Sequence, residues 1–412
     1  MHIDTRFARF DAAPGDPCRP TSTPIYQTAT FEQESALEFG RFDYTRSGNP
    51  TRTVLEDKLA ALEGGRFGFA LASGMAALST LLRAAFSLGG SPAARGSLIV
   101  GSDLYGGTTR LIERLVAPLG VAVVSVDTTD LQAVRETLAK PSPGPTWVLI
   151  ESPSNPLLRV SDIPAIAELA HACGARLAVD NTALSPYLQN PLTLGADVVA
   201  HSGTKHLGGH GDVTAGALVT SDEELAEAIG FLQNAEGTAL APFDSWLLLR
   251  GLKTLAVRVA QEARNAQEVA EFLERHPAVS KVHYPGLPSH DGHDLLERQA
   301  RGAGQLLSFE TRDAVFSQAI CESTRLFTIA VSFGSTHSTI SLPCKMSHAS
   351  VPDQAIEQGR ISPLPADLVR LSIGLENPAD LIEDLKQALV SPAKVHRPAP
   401  HGQGLHCRLS ES

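Results

Sequence analysis

The sequence predicts an α/β protein, in which a large and mainly parallel sheet covered by helices on both faces is followed by a smaller α/β domain. Two patterns indicate this fold class. Between residues 61 and 222, short apolar runs alternate with stretches of helical spacing, and beyond Pro242 a long helical stretch leads into a second alternating region. With 412 residues, 43% of them hydrophobic and 19% charged, the chain can form two or three domains with substantial cores.

Five apolar runs in the first region have the length of buried strands. They cover residues 97–101, 121–126, 147–150, 177–179 and 198–200. Between them, residues 130–139 and 163–173 have helical spacing. Because the ligands of such sheets bind beyond the carboxyl ends of the strands, the polar residues after each run are the candidate functional residues.

The remaining segments flank this large domain, which we expect to span residues 61–255. Residues 1–60 mix Pro, Thr, Tyr and Gly with little periodicity, and predict an N-terminal arm that contacts a partner subunit. Residues 256–395 predict the smaller domain, with strands at 279–284, 305–309, 329–333 and 368–373 and helices at 314–326 and 378–390. Residues 396–412, rich in Pro, His and Gly, predict a flexible tail.

Charge and composition exclude several functional classes. The 45 acidic residues outnumber the 34 Lys and Arg residues, and the net charge of -11 repels nucleic acid. No apolar run reaches the roughly 18 residues of a membrane span, and no basic and then apolar leader opens the sequence, so we expect no membrane association. Five scattered cysteines without a Cys-x-x-Cys pair argue against disulfides and zinc, and indicate a reducing cytoplasm.

The polar residues at the predicted strand ends fit the needs of one cofactor. A pyridine aldehyde requires an amine, an acid for its ring nitrogen, an aromatic face and amide donors for its phosphate. Lys205, Asp180, Tyr105 and the turn 73–75 (Ser-Gly-Met) supply these groups in that order. Asn155 and the Ser202 and Thr204 hydroxyls lie at neighbouring strand ends.

Each of these residues also has an ordinary interpretation. Asp180 could cap a helix, although a carboxylate after an apolar strand needs a cation or several hydrogen bonds. Lys205 could be a solvated charge. Residues 73–75 could be a plain helix N-terminus, and Tyr105 a turn residue beside two glycines. Arg370, on an alternating strand, could hold a substrate carboxylate or form a surface ion pair.

Two other site types fit poorly. The histidines at 201, 206, 210, 337 and 348 match no standard ligand spacing, so we expect no metal. A nicotinamide site is disfavoured because no Gly-x-Gly-x-x-Gly follows a strand, and Gly209-His210-Gly211 has the wrong spacing.

Taken in order, six segments resemble the Cys/Met-metabolism family of pyridoxal-phosphate enzymes. They are 44–51 (YTRSGNPT), 73–75 (SGM), 105–108 (YGGT), 151–156 (ESPSNP), 179–182 (VDNT) and 202–205 (SGTK), and the resemblance extends from about residue 23 to 389. It implies a fold-type I enzyme that binds pyridoxal 5′-phosphate in the large domain. Lys205 would be the lysine that bonds to the cofactor, and Tyr105 would stack on its ring and take part in catalysis.

The resemblance also assigns the other site residues. Asp180 would pair with the ring nitrogen, and the phosphate would be bound by Ser73, Gly74, Met75, Ser202 and Thr204. Tyr44 and Arg46 would reach the phosphate of a neighbouring subunit, which implies a homodimer or homotetramer with shared active sites. The carboxylate of a sulfur amino acid substrate would be held by Asn155, Ser338 and Arg370.

Within the family, three segments are most similar to plant-type cystathionine β-lyases: 231–237 (FLQNAEG), 241–244 (APFD) and 341–350 (SLPCKMSHAS). This implies cleavage of cystathionine, or a related cysteine thioether, to a thiol such as homocysteine, pyruvate and ammonia. His337 stands where many γ-class relatives have Glu, which favours β chemistry. Gly203 and His206 depart from the usual Ala and aromatic residue beside the lysine.

Two alternatives remain at this point. One is a γ-class relative, that is, a cystathionine γ-synthase, a cystathionine γ-lyase or a methionine γ-lyase. The other is a non-catalytic binding protein of the same fold, suggested only by Gly203 and His206.

Overall fold

The fold is described from a computed structural model that covers residues 1–9, 16, 18–86, 95–347 and 363–390. The large domain is built on a seven-stranded sheet in the order β1-β7-β6-β5-β4-β2-β3. Its strands are β1 (Phe67–Leu71), β2 (Ser97–Gly101), β3 (Ala122–Val126), β4 (Thr146–Glu151), β5 (Arg176–Asp180), β6 (Val198–Ser202) and β7 (Gly216–Thr220). Strands β2 to β6 run parallel, and β7 runs antiparallel to both β1 and β6. The predicted fold class is therefore confirmed.

Helices cover both faces of this sheet. The large-domain helices are α1 (Ile3–Ala8), α2 (Pro50–Glu63), α3 (Gly74–Ala85), α4 (Gly106–Leu111), α5 (Leu131–Leu138), α6 (Ile163–Ala172), α7 (Ser185–Leu188), α8 (Glu223–Glu236) and α9 (Pro242–Leu252). One face packs on α3 and α8, and the other packs on α5 and α6. Side-chain caps at Asp130, Asp162 and Asp222 start α5, α6 and α8, and each such cap stabilises a helix by about 1 kcal/mol.

The first 60 residues are more regular than predicted. Helix α2 starts at Pro50 and crosses the expected boundary at residue 60, and its Leu55 and Leu59 are buried in the core of the large domain. The start is fixed by the Asn49 side chain, which accepts a hydrogen bond from the Thr51 N–H, and by Pro50 in the first turn. The irregular part of the arm thus ends at Asn49.

The smaller domain has a five-stranded sheet in the order β10-β11-β12-β9-β8. Its strands are β8 (Lys281–His283), β9 (Leu306–Glu310), β10 (Thr328–Ile329), β11 (Thr339–Ser341) and β12 (Val369–Ser372). Its helices are α10 (Leu255–Glu274), α11 (His293–Gln299), α12 (Ala314–Ser323) and α13 (Pro378–Val390). Helix α10 joins the domains, since Leu255 and Val259 pack in the large core whereas Ala266 and Leu273 pack in the small one.

Two predicted elements of this domain end at least three residues earlier than expected. The strand expected at 329–333 is β10, which ends at Ile329, because Ser332 adopts a left-handed backbone (φ +80°) that interrupts a strand. The helix expected at 314–326 ends at Ser323, since the N–H groups of Arg325 and Leu326 donate to the Asp384 carboxylate. The predicted tail at 396–412 and His348 lie outside the described residues.

No helix in the described ranges is both long and apolar enough to cross a membrane.

Candidate active site

The predicted site residues of the large domain meet at the carboxyl ends of β4, β5 and β6. Asp180 is the last residue of β5 and pairs with Ala200 of β6, and Ser202, two residues further on, is the last residue of β6. The start of α3 packs against this edge so closely that a Cβ on Gly74 would lie 2.8 Å from the Cβ of Ser202. Free N–H groups of the first turn of α3 therefore lie beside the Ser202 hydroxyl, an arrangement that suits a phosphate.

The Lys205 amine faces the smaller domain. Its Nζ donates to the Ser332 Oγ and lies 5.1 Å from the centre of the Phe333 ring. Burial and the nearby Arg370 charge lower the pKa of Lys205 to about 8, although Asp180 opposes this shift. The free amine, which can act as nucleophile or base, is therefore far more populated near neutral pH than in an ordinary lysine.

Asp180 is held by its neighbour Thr182, whose N–H donates to Oδ1 at 3.0 Å and whose hydroxyl donates to the same atom. Burial raises the pKa of Asp180, and the Thr182 hydrogen bonds, His201 and Lys205 oppose this shift. A carboxylate in this position is stabilised by a cation, which is what a protonated pyridine nitrogen would supply. The helix-cap interpretation does not apply, since no helix starts at Asp180.

Tyr105 and Met75 lie over Gly107. A Cβ on Gly107 would lie 2.4 Å from the Tyr105 ring and 3.1 Å from the Met75 Sδ. Only glycine fits under the ring, so the missing side chain fixes where the aromatic face lies.

The side chains of two predicted phosphate ligands bond to the backbone. Ser73 caps α3, because its side chain accepts from the Ala76 N–H at 3.0 Å. The Thr204 hydroxyl accepts from the Ala215 N–H at 3.1 Å.

Arg370 lies on β12 and is buried, which excludes the surface ion pair. Its Nη1 donates to the Asn155 Oδ1 at 3.1 Å and its Nη2 to the Ser332 carbonyl at 2.8 Å. Its Nε has no hydrogen-bond partner among the described residues. Burial lowers the pKa of Arg370 to about 10. A buried guanidinium with an unused donor is suited to binding a carboxylate.

Ser338 does not join this group. Its hydroxyl donates to the Glu376 Oε2 at 2.8 Å and accepts from the Gly374 N–H at 2.9 Å. The serine that contacts Arg370 is Ser332, which the sequence interpretation missed. Glu376 and Gly374 engage the Ser338 hydroxyl here, and its role in binding the substrate carboxylate stays a prediction.

Tyr44 and Arg46 lie elsewhere on the chain. The Arg46 guanidinium packs over the Tyr44 ring at 5.4 Å and donates to the Asn234 carbonyl at 3.1 Å. Within the described part of the chain, no recorded contact joins either side chain to Lys205, Asp180 or Arg370. One subunit therefore does not bring the predicted phosphate ligands of the arm to its own lysine.

The histidines have other partners. The His201 Nε2 lies 2.6 Å from the Glu63 carboxylate in the core, and the His206 Nδ1 lies 3.8 Å from Glu262. The described residues contain no group of three or more His, Cys, Asp or Glu side chains that could hold a metal.

Comparison with known proteins identifies the family. Residues 4–390 match the family model of the Cys/Met metabolism PLP-dependent enzymes. The chain belongs to this family. The predicted family and the pyridoxal-phosphate cofactor are therefore confirmed, while the roles of individual site residues stay predictions.

The chain is similar to relatives of both reaction classes. It is 50% identical to the chloroplastic cystathionine β-lyase of Mimosa pudica over 376 residues, which cover 91% of this chain and 79% of that protein. It is 47% identical to the cystathionine γ-synthase of Mycobacterium tuberculosis over 370 residues, 89% of this chain and 92% of that protein. The solved cystathionine γ-synthase of Xanthomonas oryzae pv. oryzae, in complex with aminoacrylate and cysteine, matches with a TM-score of 0.88 and 39% identity, covering 94% of this chain and 98% of that one.

The residues present fit pyridoxal phosphate. The protonated ring nitrogen of the cofactor would stabilise the partly buried Asp180 carboxylate. The Tyr105 ring lies over a glycine, and the start of α3 packs directly on Ser202. Lys205 supplies an amine with a lowered pKa at the same sheet edge.

Proposed function

We propose that the protein is a pyridoxal-phosphate-dependent carbon-sulfur β-lyase, which cleaves cystathionine or a related cysteine thioether to a thiol, pyruvate and ammonia. The observation that carries the proposal is the group of Lys205, Ser332 and Arg370, which places an amine of lowered pKa near a buried carboxylate-binding guanidinium. The similarity to β-lyases of plants supports the choice of reaction.

Substrate orientation would come from Arg370. A guanidinium binds a carboxylate through two parallel hydrogen bonds, which fixes the amino acid in one orientation. Asn155, itself buried and bonded to the Arg370 Nη1, supports this grip from the large domain. Because Ser332 contacts both Arg370 and Lys205, an amino acid held by Arg370 would lie close to the Lys205 amine.

Proton transfer would be carried out by Lys205. Bound pyridoxal phosphate supplies an electron sink for the negative charge that develops at Cα. The Lys205 amine would remove the Cα proton, and the resulting ammonium would donate a proton to the sulfur as its bond to Cβ breaks. Water would then hydrolyse the released unsaturated amino acid to pyruvate and ammonia. The Ser332 hydroxyl would orient the amine, and Asp180 would pair with the protonated ring nitrogen of the cofactor.

Product analysis tests the reaction. The purified protein, loaded with pyridoxal phosphate, is incubated with cystathionine, and the thiol and the keto acid are identified. Homocysteine with pyruvate is the expected result, and the Lys205→Ala variant should abolish turnover. A Lys205→Ala variant that keeps lyase activity would contradict the assignment.

The same assay separates the alternatives. A γ-class enzyme is the second candidate because of the similarity to γ-synthases, and cysteine with 2-oxobutanoate, or net synthesis of cystathionine, would establish it. A purified protein with no yellow cofactor band and no keto acid would support the non-catalytic alternative.

We also propose a homodimer or homotetramer in which Tyr44 and Arg46 complete the site of a neighbouring subunit. Support comes from the arm, where Leu37 is 90% and Phe39 70% exposed, as expected of side chains that another subunit covers.

A cytoplasmic location is also part of the proposal. It is supported by the free thiols of Cys18 and Cys173, and cell fractionation tests it.

A further inference from the structure

Glu151 is a buried carboxylate at the candidate site that the mechanism above does not use. It is the last residue of β4, paired in register with Asp180 on β5, and it is only 8% exposed. Residues that pair in register on neighbouring parallel strands point to the same face of the sheet. The Glu151 side chain therefore lies beside Asp180, on the face where the site is built.

Two backbone groups of the site bind this carboxylate. The Tyr105 N–H donates to the Glu151 Oε2 at 3.0 Å. The Asn155 N–H also faces Glu151, and the Tyr105 and Asn155 backbone groups both act to lower the pKa of Glu151. One side chain thus connects the loop after β2, which carries Tyr105, with the loop after β4, which carries Asn155.

Tyr105 depends on this connection. Its ring is 40% exposed, and it stands at the start of α4 without a side-chain cap of its own. The ring position is therefore set by the backbone, and the Glu151 hydrogen bond ties that backbone to the sheet. A shift of the Tyr105 backbone would move the ring away from Gly107 and Met75.

The burial of Glu151 is unfavourable on its own. Burial raises the pKa of Glu151 well above its usual range, and the neighbouring Asp180 raises it further. A side chain that only filled space here would be apolar, since a buried carboxylate needs compensating hydrogen bonds. The compensating bonds at Glu151 come from the two residues predicted to stack on the cofactor and to face the substrate carboxylate.

We propose that Glu151 is a positioning residue that fixes the Tyr105 ring and the Asn155 amide relative to Asp180 through their backbone N–H groups. The proposal rests on the proposed cofactor-binding roles of Tyr105 and Asp180. It does not depend on which carbon-sulfur bond the enzyme breaks.

Two variants test separately the length of the Glu151 side chain and the charge of its carboxylate. Glu151→Asp keeps the charge but withdraws the carboxylate by one methylene, so it no longer reaches the Tyr105 N–H. Glu151→Gln keeps the reach and one acceptor oxygen but removes the charge. We measure the dissociation constant of pyridoxal phosphate and the circular dichroism of its visible band, which reports the setting of the bound ring.

The positioning role predicts that Glu151→Asp is the more damaging change. We expect it to weaken cofactor binding about 10-fold or more, the effect of losing a hydrogen bond to a charged group, and to reduce the dichroic band. The dissociation constant of Glu151→Gln should stay within about 3-fold of the wild-type value, and the variant should keep most of the dichroic band. The Gln side-chain oxygen still accepts a hydrogen bond, although a neutral one.

The matched control is Asp127→Asn. Asp127 follows β3 at the same sheet edge, but it is bonded to Thr129 and Arg159 and not to a site residue. Its variant should leave cofactor affinity and the dichroic band unchanged. A Glu151→Asp variant with wild-type cofactor affinity, or a Glu151→Gln variant that binds the cofactor more weakly than Glu151→Asp, would overturn the proposal. If the wild type showed no β-lyase activity, only the proposed reaction would be contradicted.

Discussion

Ser332 combines a strained backbone with contacts to two candidate site residues. Its φ of +80° lies in the left-handed region, while its hydroxyl accepts from the Lys205 Nζ and its carbonyl accepts from Arg370. Backbone strain of this kind costs about 1–3 kcal/mol and persists where function depends on it. The strained Ser332 backbone therefore lowers stability but positions the Lys205 and Arg370 side chains.

We expect Ser332→Gly and Ser332→Ala to lower kcat to the same extent, because both variants lose the hydroxyl. The two variants should differ in stability. Glycine adopts positive φ without strain, so Ser332→Gly should be about 1 kcal/mol more stable than Ser332→Ala. Thermal unfolding and steady-state kinetics of the two proteins check this, and an alanine variant at least as stable as the glycine variant would argue against strain at Ser332.

At this scale, the sequence reveals site residues that carry a distinctive chemical group. Lys205, Asp180, Asn155 and Arg370 were predicted, and the structure places them at the domain junction and the edge of the large sheet. Ser332 was missed because its importance comes from a backbone angle and from contacts more than 30 residues away. Glu151 gave the same signal as Asp180, an acid directly after a predicted apolar strand, but it was assigned no role because the cofactor ring nitrogen requires only one acid.

Helix α10 carries a buried acid behind the lysine loop. Glu262 is fully buried, and burial raises its pKa to about 7, although the Arg258 guanidinium one turn earlier opposes this shift. Glu376 raises the pKa further, and His206 lies 3.8 Å away. Because the folded pKa lies above the ordinary value of 4.5, the chain is most stable while Glu262 is protonated and loses stability as the pH rises through about 7.

Glu262→Gln should therefore flatten the pH dependence of stability. The wild type should lose up to about 2 kcal/mol more than the variant between pH 5.5 and 8.5, the part of the Glu262 pKa shift that lies between pH 5.5 and about 7. Chemical unfolding at both pH values measures the difference. Glu268→Gln, an exposed position on the same helix, is the control that should keep the wild-type pH dependence. Equal slopes for the wild type and Glu262→Gln would contradict the raised pKa.

Elements were predictable where the apolar runs were long and were followed by helices. The five parallel strands of the large sheet and α13 were predicted at or within two residues of their observed limits. Strands β1 and β7 were missed. The chain from β6 to β7 has no helix, so the strand returns antiparallel and breaks the strand-helix alternation on which the prediction relied. Strand β11 was also missed, because its three residues are too few for an alternating pattern.

At the scale of the whole molecule, shared sites can be tested by mixing two inactive variants. Arg46→Ala keeps Lys205, and Lys205→Ala keeps Arg46, so each homo-oligomer should lose most of its activity. If the arm serves the neighbouring site, a mixed dimer contains one site with both wild-type residues. Co-refolding equal amounts should then restore about a quarter of the wild-type sites.

The control is the same mixture prepared without unfolding, in which subunits have not exchanged and activity should stay low. Failure of the co-refolded mixture to regain activity would show that Arg46 acts only within its own subunit. The exposed Leu37 and Phe39 predict that size measurements find no stable monomer.

The candidate site is divided between the two domains. Lys205 and Asp180 come from the large domain, whereas Ser332 and Arg370 come from the small one. The Lys205–Ser332 and Asn155–Arg370 hydrogen bonds cross the junction. The part that fits the cofactor is thus encoded before α10, whereas Arg370, which we propose binds the substrate carboxylate with support from Asn155, is encoded after it. A recombination within α10 would exchange the second half as a module, so chimaeras of related enzymes offer a route to new substrate selectivity on an inherited cofactor site.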